Sequence, residues 1–314
     1  MEKNCIIRVE NLSHSYNGGK QWAVKELNFE IYDHGIFGLV GSNGAGKSTF
    51  MNTLCGTLDQ TKGTIFINGV DMTKNPSEAK KNLGFLPQKA PLHVDLTVDE
   101  YLTHCARLRL MNEAEIPQAI DIAKTKCGIM HYSKRLIRNL SGGYQQRVGI
   151  AQAIVHNPKF VVLDEPTNGL DPNQIIEVRN LIKKIGKDHT VLVSTHILSE
   201  VEVLCDYITM IEQGKQVFSG TIKEFNGQID TNAVLATMSN PPKIELLKNL
   251  EGFISVEAIN GSGEFRFRSD NVSELSKDII KKSVENNWGL NQVYIEKVPL
   301  DKVFAELSNK EFIN

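Results

Sequence analysis

Residues 35–58 read as an apolar run, a glycine-rich turn and a helical pattern. Gly35-Ile36-Phe37-Gly38-Leu39-Val40 leads into Gly41-Ser42-Asn43-Gly44-Ala45-Gly46-Lys47-Ser48, and the helical pattern runs from Lys47 to about Leu58. The turn fits G-x-x-x-x-G-K-[ST], and its place between a buried strand and a helix is the context that gives this spacing meaning. Glycines let successive backbone N–H groups point inward at phosphate oxygens, and the helix adds the positive end of its dipole. Lys47 supplies a point charge for the β and γ phosphates, the Ser48 hydroxyl is placed for Mg²⁺, and Thr49 closes the predicted nucleotide-binding run Gly41–Thr49. Strands that alternate with helices along the chain imply an α/β fold with a covered, mainly parallel sheet and an all-helical insertion.

Two further segments bear on the same chemistry. Lys159–Glu165 is an apolar strand ending in two carboxylates, Asp164 and Glu165. By itself it also describes a buried strand with a solvated acidic turn. Behind a phosphate loop, Asp164 is predicted to hold Mg²⁺ and Glu165 to orient and polarise the attacking water as general base. Leu140-Ser141-Gly142-Gly143-Tyr144-Gln145-Gln146-Arg147 opens a helix that is stopped by Asn157-Pro158. Ser141 is predicted as its N-cap, and Gly142-Gly143 exposes backbone N–H groups suited to an anion. A helix opened by S-G-G is also common without any ligand; its position just ahead of the Asp164–Glu165 strand is what singles it out.

The remaining pattern divides the chain. Thr97-Val98-Asp99-Glu100 has capping-box spacing, Pro117 falls near a helix start, and the segment to about Ile137 has helical composition, so residues 97–140 are predicted as a helical subdomain. A helix opened by Asp171-Pro172, a strand over Thr190–Ser194 and a hairpin at Gln213-Gly214 follow. From about Glu224 the order changes. Strand Ala233–Met238, helix Pro242–Leu250, two strands joined at Asn260-Gly261-Ser262-Gly263, a helix through Val272, Leu275 and Ile279, and a strand at Val293 and Ile295 make the β-α-β-β-α-β of a ferredoxin-like unit. Leu300, Val303, Phe304 and Leu307 form a last apolar helical stripe. The predicted domains are 1–222 and 225–314. All eight histidines lie at or before His196 and all five cysteines at or before Cys205, so the chemistry belongs to the first domain. Lys134-Arg135-Arg138 reads as a solvated helix face, and Arg266 with Arg268 as a solvated sheet face.

At these residues the chain resembles the nucleotide-binding subunits of ABC (ATP-binding cassette) transporters, over roughly residues 5–220. The resemblance implies that Tyr16 stacks on adenine, that Gln88 is the glutamine of the Q-loop, and that Ser141, Gly142 and Gly143 are the family signature. It makes Gly169-Leu170-Asp171 the D-loop and His196 the switch histidine that contacts the γ-phosphate. Glu165, His196, Gln88 and Lys47 are then the catalytic set, and Ser48, Gln88 and Asp164 the Mg²⁺ set. Tyr144 stands where the commonest signature has Gln, and Asn168-Gly169 where Ser-Ala is commoner; neither removes a group that touches phosphate.

The resemblance implies an ATPase that binds ATP and Mg²⁺ and releases ADP. A second copy of the chain completes each site in an ATP-dependent dimer. It also implies a separate polytopic membrane permease, contacted around Lys89–Leu102, and a cytoplasmic protein peripheral to the membrane. The text around Val148–Ala153 and Thr167–Pro172 is most like the exporter branch. The alternative is a non-transport ABC ATPase acting as a regulatory or assembly module. Only 51 residues separate Gln88 from Leu140, too few for the long coiled coil of chromosome-maintenance relatives. A net charge of −2 argues against a general nucleic-acid binder. No run approaches the roughly 20 apolar residues that cross a bilayer, and the first five residues lack the basic start of a signal peptide. Five cysteines without a C-x-x-C pair suit free thiols.

Overall fold

The computed structural model describes residues 5–16, 19–227, 233–259, 263–296 and 300–310. The chain divides into two compact units, meeting between Phe225 and Asn226. In the first, the elements are β1 (Cys5–Ser15), β2 (Trp22–Tyr32), β3 (Ile36–Val40), α1 (Lys47–Leu54), β4 (Lys62–Ile67), β5 (Val70–Asp71), α2 (Pro76–Lys81) and β6 (Leu83–Leu86). Then come α3 (Val98–Leu108), α4 (Ile116–Cys127), α5 (Gly142–Ile154), β7 (Phe160–Asp164), α6 (Pro172–Ile185), β8 (Thr190–Ser194), α7 (Leu198–Leu204), β9 (Tyr207–Glu212), β10 (Lys215–Thr221) and α8 (Ile222–Asn226).

The central sheet has the order β10-β9-β3-β8-β7-β6. All its pairings are parallel except β9 with β10 at the edge. Its inner strands β3, β7 and β8 are buried on both faces because both faces are covered. On β7, Phe160 and Val162 enter one core while Val161 and Leu163 enter the other; on β8, Leu192 and Val193 divide the same way. Each such side chain stabilises the fold by about 1.5–3 kcal/mol on burial. One core packs α1 and the strands β1, β2 and β4 against the sheet; the other packs α3 to α6.

Sequence pattern missed one layer. β1, β2, β4 and β5 form a separate antiparallel sheet, order β2-β1-β4-β5, beside the parallel one. β1 and β2 are eleven residues long and bulged where they pair, and β4 joins β1 from beyond α1, so the pairing that makes this layer does not follow from local pattern. The helix predicted to reach Leu58 stops at Leu54, where the chain turns through Gly56 at φ 63°. The helical subdomain holds two α-helices and two 3₁₀ turns, Met130–Tyr132 and Ile137–Asn139. Lys134 and Arg135 precede the second turn and Arg138 lies within it, so they are not a helix face. Lys134 pairs with Asp99 and Arg138 with Asp95. Thr97 and Glu100 form the predicted capping box, and Pro117 sits in the first turn of α4.

The second unit contains β11 (Ala233–Met238), α9 (Ile244–Leu247), β12 (Phe253–Ile259), β13 (Glu264–Ser269), α10 (Val272–Glu285), β14 (Leu290–Ile295) and the start of α11 (Leu300–Lys310). Its antiparallel sheet has the order β12-β13-β11-β14, the ferredoxin-like arrangement, with Leu275 and Ile279 of α10 in its core. The helix predicted over Pro242–Leu250 is a single turn. Arg266 is engaged: it forms a bidentate pair with Glu296 at 2.9 and 2.7 Å. Residues 260–262 of the predicted turn and 1–4 of the N-terminus lie outside the described residues. No described helix is long and apolar enough to cross a membrane.

Candidate nucleotide site

The turn at 41–48 is shaped by close backbone approach. A Cβ on Gly41 would lie 2.1 Å from the Ile211 carbonyl, and one on Gly46 2.5 Å from that of Ala23. Gly46, at φ 106°, is also the N-cap of α1 and supplies no side-chain cap. The first-turn N–H groups of α1 are thus available to an anion. Lys47 is 7% exposed, with Nζ donating to the carbonyls of Gly41 at 2.7 Å and Ser42 at 3.0 Å. Burial pulls its pKa below the usual lysine value, against the nearby carboxylates of Glu165, Asp164 and Glu212. Ser48 and Asn43 are exposed.

A cavity of about 810 Å³ opens over this turn. Tyr16, Asn43, Gly44, Gly46, Lys47, Ser48, Thr49, Gln88 and Glu165 line it, so most of the predicted nucleotide set converges there. Tyr16 is 63% exposed, as a stacking platform must be, and its hydroxyl meets Thr49 Oγ1 at 3.1 Å. The His14 ring meets it in a T-shaped contact, with centroids 4.7 Å apart.

The β7 and β8 ends carry the predicted metal-binding and catalytic side chains Asp164, Glu165 and His196. Register pairs Asp164 with Ser194. Asp164 lies on the α1 side of the sheet, 5% exposed, and accepts a very short hydrogen bond from the Ser194 hydroxyl. Burial raises its pKa, and the Ser194 bond opposes that rise. Glu165 sits in the left-handed region at φ 46°, which turns its side chain out of the strand into the cavity. Both carboxylate oxygens are held. Gln88 Nε2 donates to Oε2 at 2.9 Å, Asn168 Nδ2 to the same oxygen at 3.1 Å, and His196 Nδ1 lies 3.0 Å from Oε1. Of the predicted catalytic residues, Gln88 and His196 thus both contact Glu165, on opposite carboxylate oxygens.

Ser141, Gly142 and Gly143 do not join them. Ser141 and Gly143 line a separate 270 Å³ groove with Tyr144, Arg147, Asp171 and Gln174. Ser141 occupies the N-cap position of α5 but makes no side-chain cap bond, contrary to expectation. Its neighbour glycines leave the first-turn N–H groups open, and Ser141 and Gly142 are exposed. The structure also adds residues that the motifs do not name. Gln21, Trp22, Ala23 and Gln213 line the main cavity. Glu212, 7% exposed, accepts from both Ser42 N and Ser42 Oγ, at 3.2 and 2.5 Å, and so anchors the phosphate loop to β9. The hairpin predicted at Gln213-Gly214 was the one available signal for that support, because the turn donates from Gly214 N to Ala45 O at 2.8 Å.

A phosphate loop after β3 of a parallel sheet, an acidic pair at the end of β7 on the far side of β8, and a helical insertion define a nucleotide-binding ATPase domain. The ABC transporter family matches residues 24–168. Aligned relatives include the uncharacterized ABC transporter ATP-binding protein YxlF of Bacillus subtilis, 30% identical over 93% of this chain and 99% of its own. The linearmycin resistance ATP-binding protein LnrL of the same organism is 31% identical over 97% and 99%. The bacitracin transport ATP-binding protein BcrA of Bacillus licheniformis is 38% identical over 68% of each chain. Among solved structures, cbiO1 of Clostridium perfringens, part of the ABC transporter complex cbiONQ, matches with a TM-score of 0.64 at 29% identity, covering 71% of this chain and 90% of that one. The chain belongs to the ABC transporter ATP-binding proteins, the ATP-hydrolysing subunits that power transport.

Proposed function

We propose that Glu165 is the general base of ATP hydrolysis and that each site is completed by the Ser141-Gly142-Gly143 helix start of a second copy. The observation that carries this reading is the split just described. The phosphate loop and Glu165 share one cavity, while the other open helix N-terminus faces a different groove of the same chain. ATP between two head-to-tail copies would meet both positive helix ends at once. Lys47 then trades its bonds to the loop carbonyls for the β and γ phosphates, Tyr16 stacks on the adenine, and Glu165 takes a proton from the attacking water. Gln88, Asn168 and His196 hold the carboxylate in place for that transfer, and loss of the γ-phosphate opens the dimer.

Mg²⁺ fits the residues present. Among the described residues no cluster of three His, Cys, Asp or Glu side chains could hold a metal. The Ser48 hydroxyl, the Gln88 amide oxygen and the buried Asp164 carboxylate are instead the few hard oxygen ligands that Mg²⁺ takes beside phosphates and water. When bound, the ion supplies charge neutralisation at the β and γ phosphates.

For transport, the subunit docks on a separate membrane permease at the cytoplasmic face. Lys89, Pro91, His93 and Val94, within the predicted contact segment, are exposed ahead of α3 and support that surface. Export is the direction we favour, because a relative aligned over nearly the whole chain is a resistance protein. The test is Glu165→Gln. It should keep ATP binding, lose turnover and trap an ATP-bound dimer in size-exclusion chromatography. A variant that stays monomeric with ATP, or turns ATP over at the parent rate, defeats the reading.

A further inference from the structure

Glu200, in the first turn of α7, is 1% exposed, and none of the motifs above includes it. A buried carboxylate is costly unless it is paired and hydrogen-bonded. Here Oε2 accepts from Thr167 Oγ1 and from Thr195 Oγ1, each at 2.9 Å, and Oε1 accepts from Arg179 Nη2 at 3.0 Å. Thr167 and Thr195 are themselves 4% and 3% exposed. The Thr195 hydroxyl also accepts from Ile197 N at 3.0 Å, which fixes the turn that follows His196.

The two threonines are not arbitrary. Thr167 adjoins Asn168 and Thr195 adjoins His196, and both of those neighbours contact Glu165. Two loops, one after β7 and one after β8, therefore meet twice. At their roots they share one oxygen of Glu200, and at their tips they grip opposite oxygens of Glu165. A carboxylate with two hydroxyl donors on one oxygen sets the spacing of the loops that carry them, and charge assistance makes such bonds stronger than neutral ones. We propose that Glu200 is a positioning residue for hydrolysis, holding Asn168 and His196 at the separation that orients Glu165. The proposal rests on the role of Glu165 given above. Misplacement of a catalytic group by about 1 Å can cost 10²-fold in rate without weakening binding.

The full chain tests this through Thr195→Val, which keeps shape and removes the hydroxyl, alongside Thr195→Ser and Glu165→Gln. Thr195→Val should lower kcat at least about tenfold with KM for ATP unchanged, in a protein that is still folded at the assay temperature although its thermal midpoint falls, because Glu200 and Ile197 N each lose a buried partner. Thr195→Ser should restore the parent kcat. If the valine variant keeps the parent kcat per nucleotide-binding chain, or the serine variant falls as low as valine, the proposal is wrong. Should Thr195→Val not fold, Glu200→Gln, of the same volume, is read in the same way. An inactive Glu165→Gln beside a fully active Thr195→Val overturns this proposal alone; an active Glu165→Gln removes the base and this proposal with it.

Discussion

The helices α3 and α6 begin differently from α1 and α5. Thr97 at the start of α3 accepts from Glu100 N, and Glu100 reaches back to Thr97 N, so two orphan donors are satisfied within the chain. Asp171 at the start of α6 accepts from both Asn173 N and Gln174 N at 3.0 Å. Gly46 and Ser141, at the starts of α1 and α5, make no such bond. A saturated helix start contributes stability, and an unsaturated one keeps its N–H groups and dipole for an anion. The first pair hold the fold together; the second pair, on the reading above, hold a phosphate from two sides.

Substitutions at these starts can break that contrast. Lys47→Ala removes the charge beside the α1 start and should lower ATP hydrolysis by about 10²–10³-fold, the size expected when a preorganised electrostatic contact is lost. A turnover assay near the parent rate would place α1 with the merely structural helices. Ser141→Ala should lower turnover by about 10–100-fold, as for one lost bond to a charged group, while leaving denaturant unfolding unchanged because Ser141 caps nothing. Thr97→Ala is the converse and the smallest: about 1 kcal/mol of stability lost in denaturant unfolding, with turnover unaltered. If Ser141→Ala instead destabilised the fold like Thr97→Ala, the distinction between the two pairs would collapse.

The same residues show where the sequence could be read and where it could not. Thr97 and Glu100, or Asp171 and Pro172, act over three or four positions, and such local bonds are visible in a string of letters. Gly41–Ser48 is legible for the same reason, since a loop and the helix it opens are contiguous. The antiparallel sheet was not legible, because β1 pairs with β2 and with β4 through bulges and across loops. Nor was the role of Ser141 at its own helix: serine is a good cap by type, and only the observed geometry shows its hydroxyl left out of the first turn.

The phosphate loop, the Asp164–Glu165 strand end, the capped helical subdomain and the ferredoxin-like strand order were all written in residue type and spacing. Those features depend on contacts a few residues apart or on the period of an apolar face, which the order of residues carries directly. Tertiary structure alone decided that Gln88, Asn168 and His196 close on Glu165, that Glu212 anchors Ser42, and that Glu200 ties Thr167 to Thr195. Four of these pairs join residues 31 to 170 positions apart and meet only because sheet order sets the β9, β3, β8, β7 and β6 ends side by side. Asn168 and Thr195 lie close in sequence to their partners, and for them the fold decides only which way the loop turns.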